Sequence, residues 1–214
     1  MLNVHSFTFN PFQENTWIIW SEQGNCLIVD PGCYTKNEKE ELSDFITTKN
    51  LNPIRLINTH CHIDHVLGNP FVFENWNLQP EIHPAEQNLL DAVDQYGKMW
   101  GIESDPQPTC LHTLFSEKFI QLDGETIEIL FTPGHSPGEV SLYYPKGNFL
   151  IAGDVLFLES IGRTDLPGGN FEVLKESIMK LYLLPDETLV HPGHGPSTSI
   201  GHEKDFNPFV KYPR

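Results

Sequence analysis

Seven short apolar runs, most of them closed by a turn that carries a histidine or an aspartate, constrain this chain more than any other feature. "TWIIW" (16–20), "CLIVD" (26–30), "IRLINT" (54–59), "TIEILFT" (126–132), "VSLYY" (140–144), "FLIAGD" (149–154) and "ETLVHP" (187–192) have the length and β-branched content of buried strands. Helices are predicted between them over Lys36–Lys49, Pro84–Met99 and Phe171–Leu183, the last with Phe171, Leu174, Ile178 and Leu181 at helical spacing. Strands dominate each half and helices are interspersed, the pattern of a sheet sandwich covered by helices, an α/β (α+β) chain. With 214 residues and no linker-like stretch, residues 1–214 read as a single domain.

The special residues sit where these runs end. His60 follows "IRLINT", His135 lies in "PGHSPG", Asp154 ends "FLIAGD" and His194 lies in "HPGHG". Loops held by rigid strand ends are where chemistry concentrates. The densest stretch, "THCHIDH", brings His60, His62, Asp64 and His65 together. In extended backbone side chains alternate, so His60, His62 and Asp64 are expected on one side, with His65 turning away and Cys61 facing inward. His60 and His62 with His135 make one metal site, Asp64 and His65 with His194 a second, and Asp154 a bridge. Imidazole and carboxylate suit zinc, and seven ligands for two ions leave a position open for water. Iron and manganese remain compatible with such donors. Asp30, in "VDPG", reads either as a turn former or as a carboxylate that orients the ligand loop.

Other features bound the function. A formal charge of −16 disfavours nucleic-acid partners. The start "MLNVHSFTFNPFQENTW" has no export-signal pattern, no apolar run is long enough to span a membrane, and four cysteines without CxxC spacing read as free thiols; a cytoplasmic location is expected. His5, His83, His112, His191 and His202 lack matching partners and read as structural or exposed, and "YGKMWG" (96–101) reads as core or helix end.

Together these residues resemble the metallo-β-lactamase superfamily, whose hallmark HxHxDH is matched by His60, His62, Asp64 and His65. "NPFQENTW", "VDPG", "TPGHSPG", "GDVLF" and "HPGHG" are similar to the glyoxalase II (hydroxyacylglutathione hydrolase) group, and "IGRTDLPGG" with "HPGHGPSTSIGHEKDFNP" to its short bacterial branch. The resemblance implies an αββα four-layer sandwich and two divalent metals, zinc foremost, held as grouped above. It implies hydrolysis of a small-molecule thioester, such as a glutathione-linked one, by a metal-bound hydroxide that Asp64 helps orient, and it makes Arg163 a substrate-binding residue. Only 20 residues follow His194, so the C-terminal helical domain that supplies glutathione contacts in longer members has no counterpart, and Asp165 stands where those enzymes often place an aromatic. The principal alternative by resemblance is a persulfide dioxygenase with one iron on His60, His135 and Asp154; lactonase-type hydrolysis is another. The acyl group, the thiol carrier and the oligomeric state are not written in the sequence.

Overall fold

The computed structural model describes residues 1–213, the side chain of Phe115 excepted. The first half forms β1 (Asn3–Phe9), β2 (Glu14–Trp20), β3 (Asn25–Val29), α1 (Lys36–Thr48), β4 (Asn52–Ile57), α2 (Ile63–Val66), α3 (Asn69–Trp76) and β5 (Pro80–Glu81). Then come α4 (Gln87–Asp91), α5 (Val93–Trp100), α6 (Thr113–Ser116), β6 (Phe119–Leu122), β7 (Glu125–Phe131), β8 (Val140–Tyr144) and β9 (Phe149–Gly153). The chain closes with β10 (Leu156–Phe157), β11 (Ser160–Ile161), α7 (Phe171–Leu181), β12 (Leu189–Pro192), β13 (Thr198–Ser199) and α8 (Ile200–Phe206).

Two sheets result, one ordered β1-β2-β3-β4-β5 and the other β13-β12-β9-β8-β7-β6, with a small β10-β11 hairpin beside them. Alternation along each strand sorts the apolar residues into layers. Trp17, Ile19, Leu27, Val29 and Ile57 face Ile127, Val140, Leu142 and Ile151 across the inter-sheet core. Ile18, Cys26, Ile28 and Leu56, on the outer face of the first sheet, pack under Leu42 and Ile46 of α1 and Val72 of α3. On the second sheet Leu150, Ala152 and Val190 lie under Leu174, Ile178 and Leu181 of α7. The order is helix, sheet, sheet, helix, the expected sandwich, and burial on both faces explains why β2, β3, β8 and β9 read as largely apolar runs.

The helix ends follow their caps. Thr35 and Glu38 form a reciprocal capping box on α1, and the Asn170 side chain accepts from Glu172 and Val173 N–H at the start of α7. The helix predicted over Pro84–Met99 is instead a short 3-10 turn followed by α4 and α5, because Ala92 leaves the helical region (φ −92°, ψ 0°). β1 was not foreseen: "NVHSFTF" has only alternate buried residues as an outer strand and lacks a continuous apolar run. All four cysteines are free, three of them buried. No helix among the described residues is long and apolar enough to cross a membrane.

His191, expected to be structural or exposed, is buried on β12 between the rings of Trp17 and Phe149, with Nδ1 2.8 Å from Ser197 Oγ. Burial pushes its pKa down to about 4. The unfolded chain therefore binds the extra proton first, so this histidine's contribution is complete above about pH 6.5 and lost as pH falls toward 4, at most about 3 kcal/mol at 1.36 kcal/mol per pKa unit. Denaturation measured over that range should show the stability lead of the wild type over His191→Gln shrinking as pH falls; a constant difference would mean His191 does not titrate in this way.

Candidate metal centre

β4 ends at Ile57, and the chain then passes through an irregular segment, Asn58–His62, before the single turn of α2. His60 and His62 precede that turn while Asp64 and His65 belong to it, so the simple alternation expected for the three motif residues does not hold: helical backbone places Asp64. The segment is held by its own backbone contacts. Asp30, which has a positive φ of 49°, accepts Thr59 N–H at 2.7 Å and the Thr59 hydroxyl at 2.6 Å. Asn10 Nδ2 donates to the carbonyls of Gly32 and Asp64, and Asn58 Nδ2 to that of His65. The left-handed backbone at Asp30 carries strain that these contacts offset.

Histidine tautomers can be deduced from the partners. The one hydroxyl hydrogen of Thr59 goes to Asp30, so at His60 Nδ1, 3.1 Å away, the Thr59 oxygen accepts and Nδ1 carries the proton. His65 Nδ1 donates to Asp30 Oδ2 at 3.2 Å, His135 Nδ1 to the carbonyl of Arg163 at 2.8 Å, and His194 Nδ1 to the carbonyls of Phe12 and Gln13, each at 3.2 Å. In each of these four rings the lone pair is then left on Nε2. His62 presents Nδ1 instead, 2.7 Å from His135 Nε2.

These atoms converge. Ligand atoms of His60, His62 and His135 lie within 4.8 Å of one another, and so do those of Asp64, His65 and His194. Asp154 faces both groups, 3.5 Å from His135 Nε2 through one oxygen and 3.5 Å from His65 Nε2 through the other; His194 Nε2 is 3.1 Å from Asp64 and 3.6 Å from Asp154. Asp30, His60 and His65 form a third close trio, but the Asp30 oxygens already accept from Thr59 and His65. His60 Nε2, His65 Nε2 and Asp154 Oδ1 are buried without a hydrogen-bond partner. Unpartnered buried polar atoms are costly, and several aimed at one place fit bound cations.

Charge supports the same fit. Burial and neighbouring imidazoles push the His60 proton affinity far down, leaving the ring neutral, and burial with His135 lowers His62 to about 3. Burial acts against the Asp154 and Asp64 carboxylates, yet the histidine charges around them outweigh it and hold both below the usual range. Burial opposes a second proton on His65, but Asp64 and Asp154 outweigh it and raise the ring's proton affinity, so the carboxylates draw positive charge, a proton or a metal ion, to the Nε2 lone pair.

Three buried glutamates complete the setting and were not singled out from sequence. Glu86 accepts Cys61 N–H through one oxygen and Ser136 Oγ and Gly138 N–H through the other, joining two ligand loops. Glu139 accepts Asp154 N–H at 2.7 Å, and Glu14 accepts the Thr16 hydroxyl with its other oxygen 4.0 Å from His65 Nδ1. Burial raises the pKa of Glu14 and Glu139 strongly, so both stand as neutral hydrogen-bonding groups. Glu139, an acidic residue directly before a wholly buried strand, was the readable signal; nothing local marks Glu86. Close approach is also built in: a Cβ on Gly193 would lie 2.1 Å from Asp154 Oδ1.

Above this floor opens a cavity of about 490 Å³. Tyr96 and Trp100 of α5 line it, so the "YGKMWG" stretch meets the cavity as well as ending a helix. Arg163 lines it too, but Asp165 holds its guanidinium through two bonds of 2.7 Å.

The family model described as "Metallo-beta-lactamase superfamily" matches residues 9–194. A probable metallo-hydrolase, YqgX of Bacillus subtilis, is 42% identical, covering 94% of this chain and 93% of its own. Hydroxyacylglutathione hydrolase GloC of Haemophilus influenzae is 34% identical over 98% of both. Among solved structures, TTHA1623 in a di-iron-bound form superposes with a TM-score of 0.86 at 36% identity, covering 96% of this chain and all of that one. The BLEG-1 B3 metallo-beta-lactamase does so with 0.86 at 34%, over 98% and 100%. With its two-sheet sandwich and its His/Asp clusters, the chain belongs to the metallo-beta-lactamase superfamily of metallo-hydrolases.

Proposed function

We propose that the chain is a two-metal thioester hydrolase. The observation that carries the reading is the convergence of ring lone pairs from two separate trios on one shared carboxylate, Asp154. His60 Nε2, His62 Nδ1 and His135 Nε2 would hold one divalent ion; Asp64, His65 Nε2 and His194 Nε2 the other; Asp154 would bridge. Two ions so held supply Lewis acidity for a carbonyl oxygen and bring the pKa of water toward neutrality. Zinc is the expected metal on donor chemistry, with iron its competitor in view of the di-iron relative. A site for a single iron on His60, His135 and Asp154 would leave the Asp64, His65 and His194 trio without a purpose.

The chain's own groups do the rest. Asp64 accepts a hydrogen bond from the attacking water and orients it. Asp30 holds Thr59 and His65, and through them the ligand loop. A thiol of ordinary pKa, about 8.5, leaves as thiolate without a strong acid, and no strong acid is needed among the lining residues. Thioester hydrolysis is also the reaction named for the GloC relative. The free thiols fit a reducing, cytoplasmic setting.

His62→Ala should lower kcat/KM for a thioester by more than about 100-fold and reduce bound metal to at most one ion, with the circular-dichroism spectrum kept; full activity would overturn the ligand set. Asp30→Asn, which leaves one acceptor oxygen where Thr59 and His65 use two, should weaken metal binding about 10- to 100-fold in a competition with a chelator. Unchanged affinity would show that Asp30 serves only as a turn residue.

A further inference from the structure

The floor determines the bond that is broken, and the walls determine what is attached to it. Two separate elements raise those walls, and both are apolar. Tyr96 and Trp100 stand four residues apart on α5, hence on one face of it, and the Trp100 ring meets that of Phe12 edge to face with centroids 6.1 Å apart. The other wall comes from the β10-β11 hairpin and the loop after it, which contribute Phe157, Ile161 and Leu166. α5 is seated firmly: Gly97 is buried in its middle, and a Cβ there would lie 2.6 Å from the Ile102 carbonyl and 3.4 Å from Ile63 of α2. Trp100 itself is 60% exposed, an aromatic left open to solvent at the mouth of a cavity.

Charge decides against a dicarboxylate carrier. Arg163 is the one Lys or Arg among the lining residues, and Asp165, bound along one edge of its guanidinium, already offsets its charge. A chain of net charge −16 adds a general repulsion toward anions. A peptide thiol with two carboxylates therefore meets a single cation at the cavity wall, one already paired with an acid, whereas an aliphatic or aromatic acyl group finds apolar surface to cover.

We propose that this site selects thioesters with an apolar acyl group, which lies against Phe12, Tyr96, Trp100, Phe157, Ile161 and Leu166, over hydroxyacyl thioesters of a dicarboxylate peptide thiol. The selection rests on the thioester reading of the floor. It predicts that activity tracks acyl length when the carrier is small and uncharged.

The test uses the full chain as purified with its metal, and S-acyl-N-acetylcysteamines from acetyl to octanoyl beside S-lactoylglutathione. Specificity should rise about tenfold for each two-carbon step, as burial of methylenes dictates, and exceed that for S-lactoylglutathione. Trp100→Ala should cut the ratio of hexanoyl to acetyl kcat/KM at least fivefold. A flat series, or a preference for S-lactoylglutathione, would overturn the selection while leaving thioester hydrolysis in place. If no thioester is cleaved, the hydrolase reading fails, and binding alone decides the wall's role: octanoate should saturably quench tryptophan fluorescence in the wild type and not in Trp100→Ala. Equal or absent quenching in the two would overturn the proposal.

Discussion

An imidazole has one lone pair to offer, and which nitrogen carries it depends on what the other nitrogen touches. Four histidines from three distant parts of the chain have their Nδ1–H taken by Thr59, Asp30, or the backbone carbonyls of Arg163, Phe12 and Gln13. Their Nε2 lone pairs are thereby turned toward one volume, where His60 Nε2 and His65 Nε2 have no hydrogen-bond partner. The arrangement costs stability, since each orphaned buried acceptor forfeits its bond to water, on the order of 1–3 kcal/mol. Such a cost is sustained only when something binds there.

The fold exists in a form that makes this possible. The ligand loops leave the ends of β4, β7, β9 and β12, strands drawn from both sheets, and are bound to one another by groups that are not ligands. Glu86 ties the Cys61 loop to Ser136 and Gly138, Glu139 ties β8 to Asp154, and Asn15 donates to the carbonyls of Pro192 and Gly195 beside His194. Burial raises the pKa of Glu139 strongly, so it makes its tie without adding to the negative charge of a floor that already holds Asp64 and Asp154. Packing at Gly193 then brings the last loop against Asp154, closer than any side chain would permit.

The layers were legible because the central strands β2, β3, β8 and β9 are buried on both faces and announce themselves as apolar runs. The clustered His and Asp residues were legible because their density and their place at run ends have no use in packing. What escaped has a physical reason in each case. β1 alternates exposed and buried residues, and α2 is a single turn too short to show a period. The break at Ala92 turns on local dihedral angles rather than composition. Glu86 acts through backbone amides 25 and 52 residues away, contacts that no local pattern encodes. Tyr96 and Trp100 read as helix-end packing because aromatic pairs usually are; only the cavity beside them gives them another role.

Placing the imidazole lone pairs and the two carboxylates in this way leads to one central claim, that the centre takes two ions at once. Native mass spectrometry of the chain, purified without added metal and then titrated with zinc, tests it most directly. The account predicts that a species with two zinc ions per chain dominates at saturation and that His194→Ala retains one. A wild-type chain that saturates at a single ion, or binds none, would contradict it.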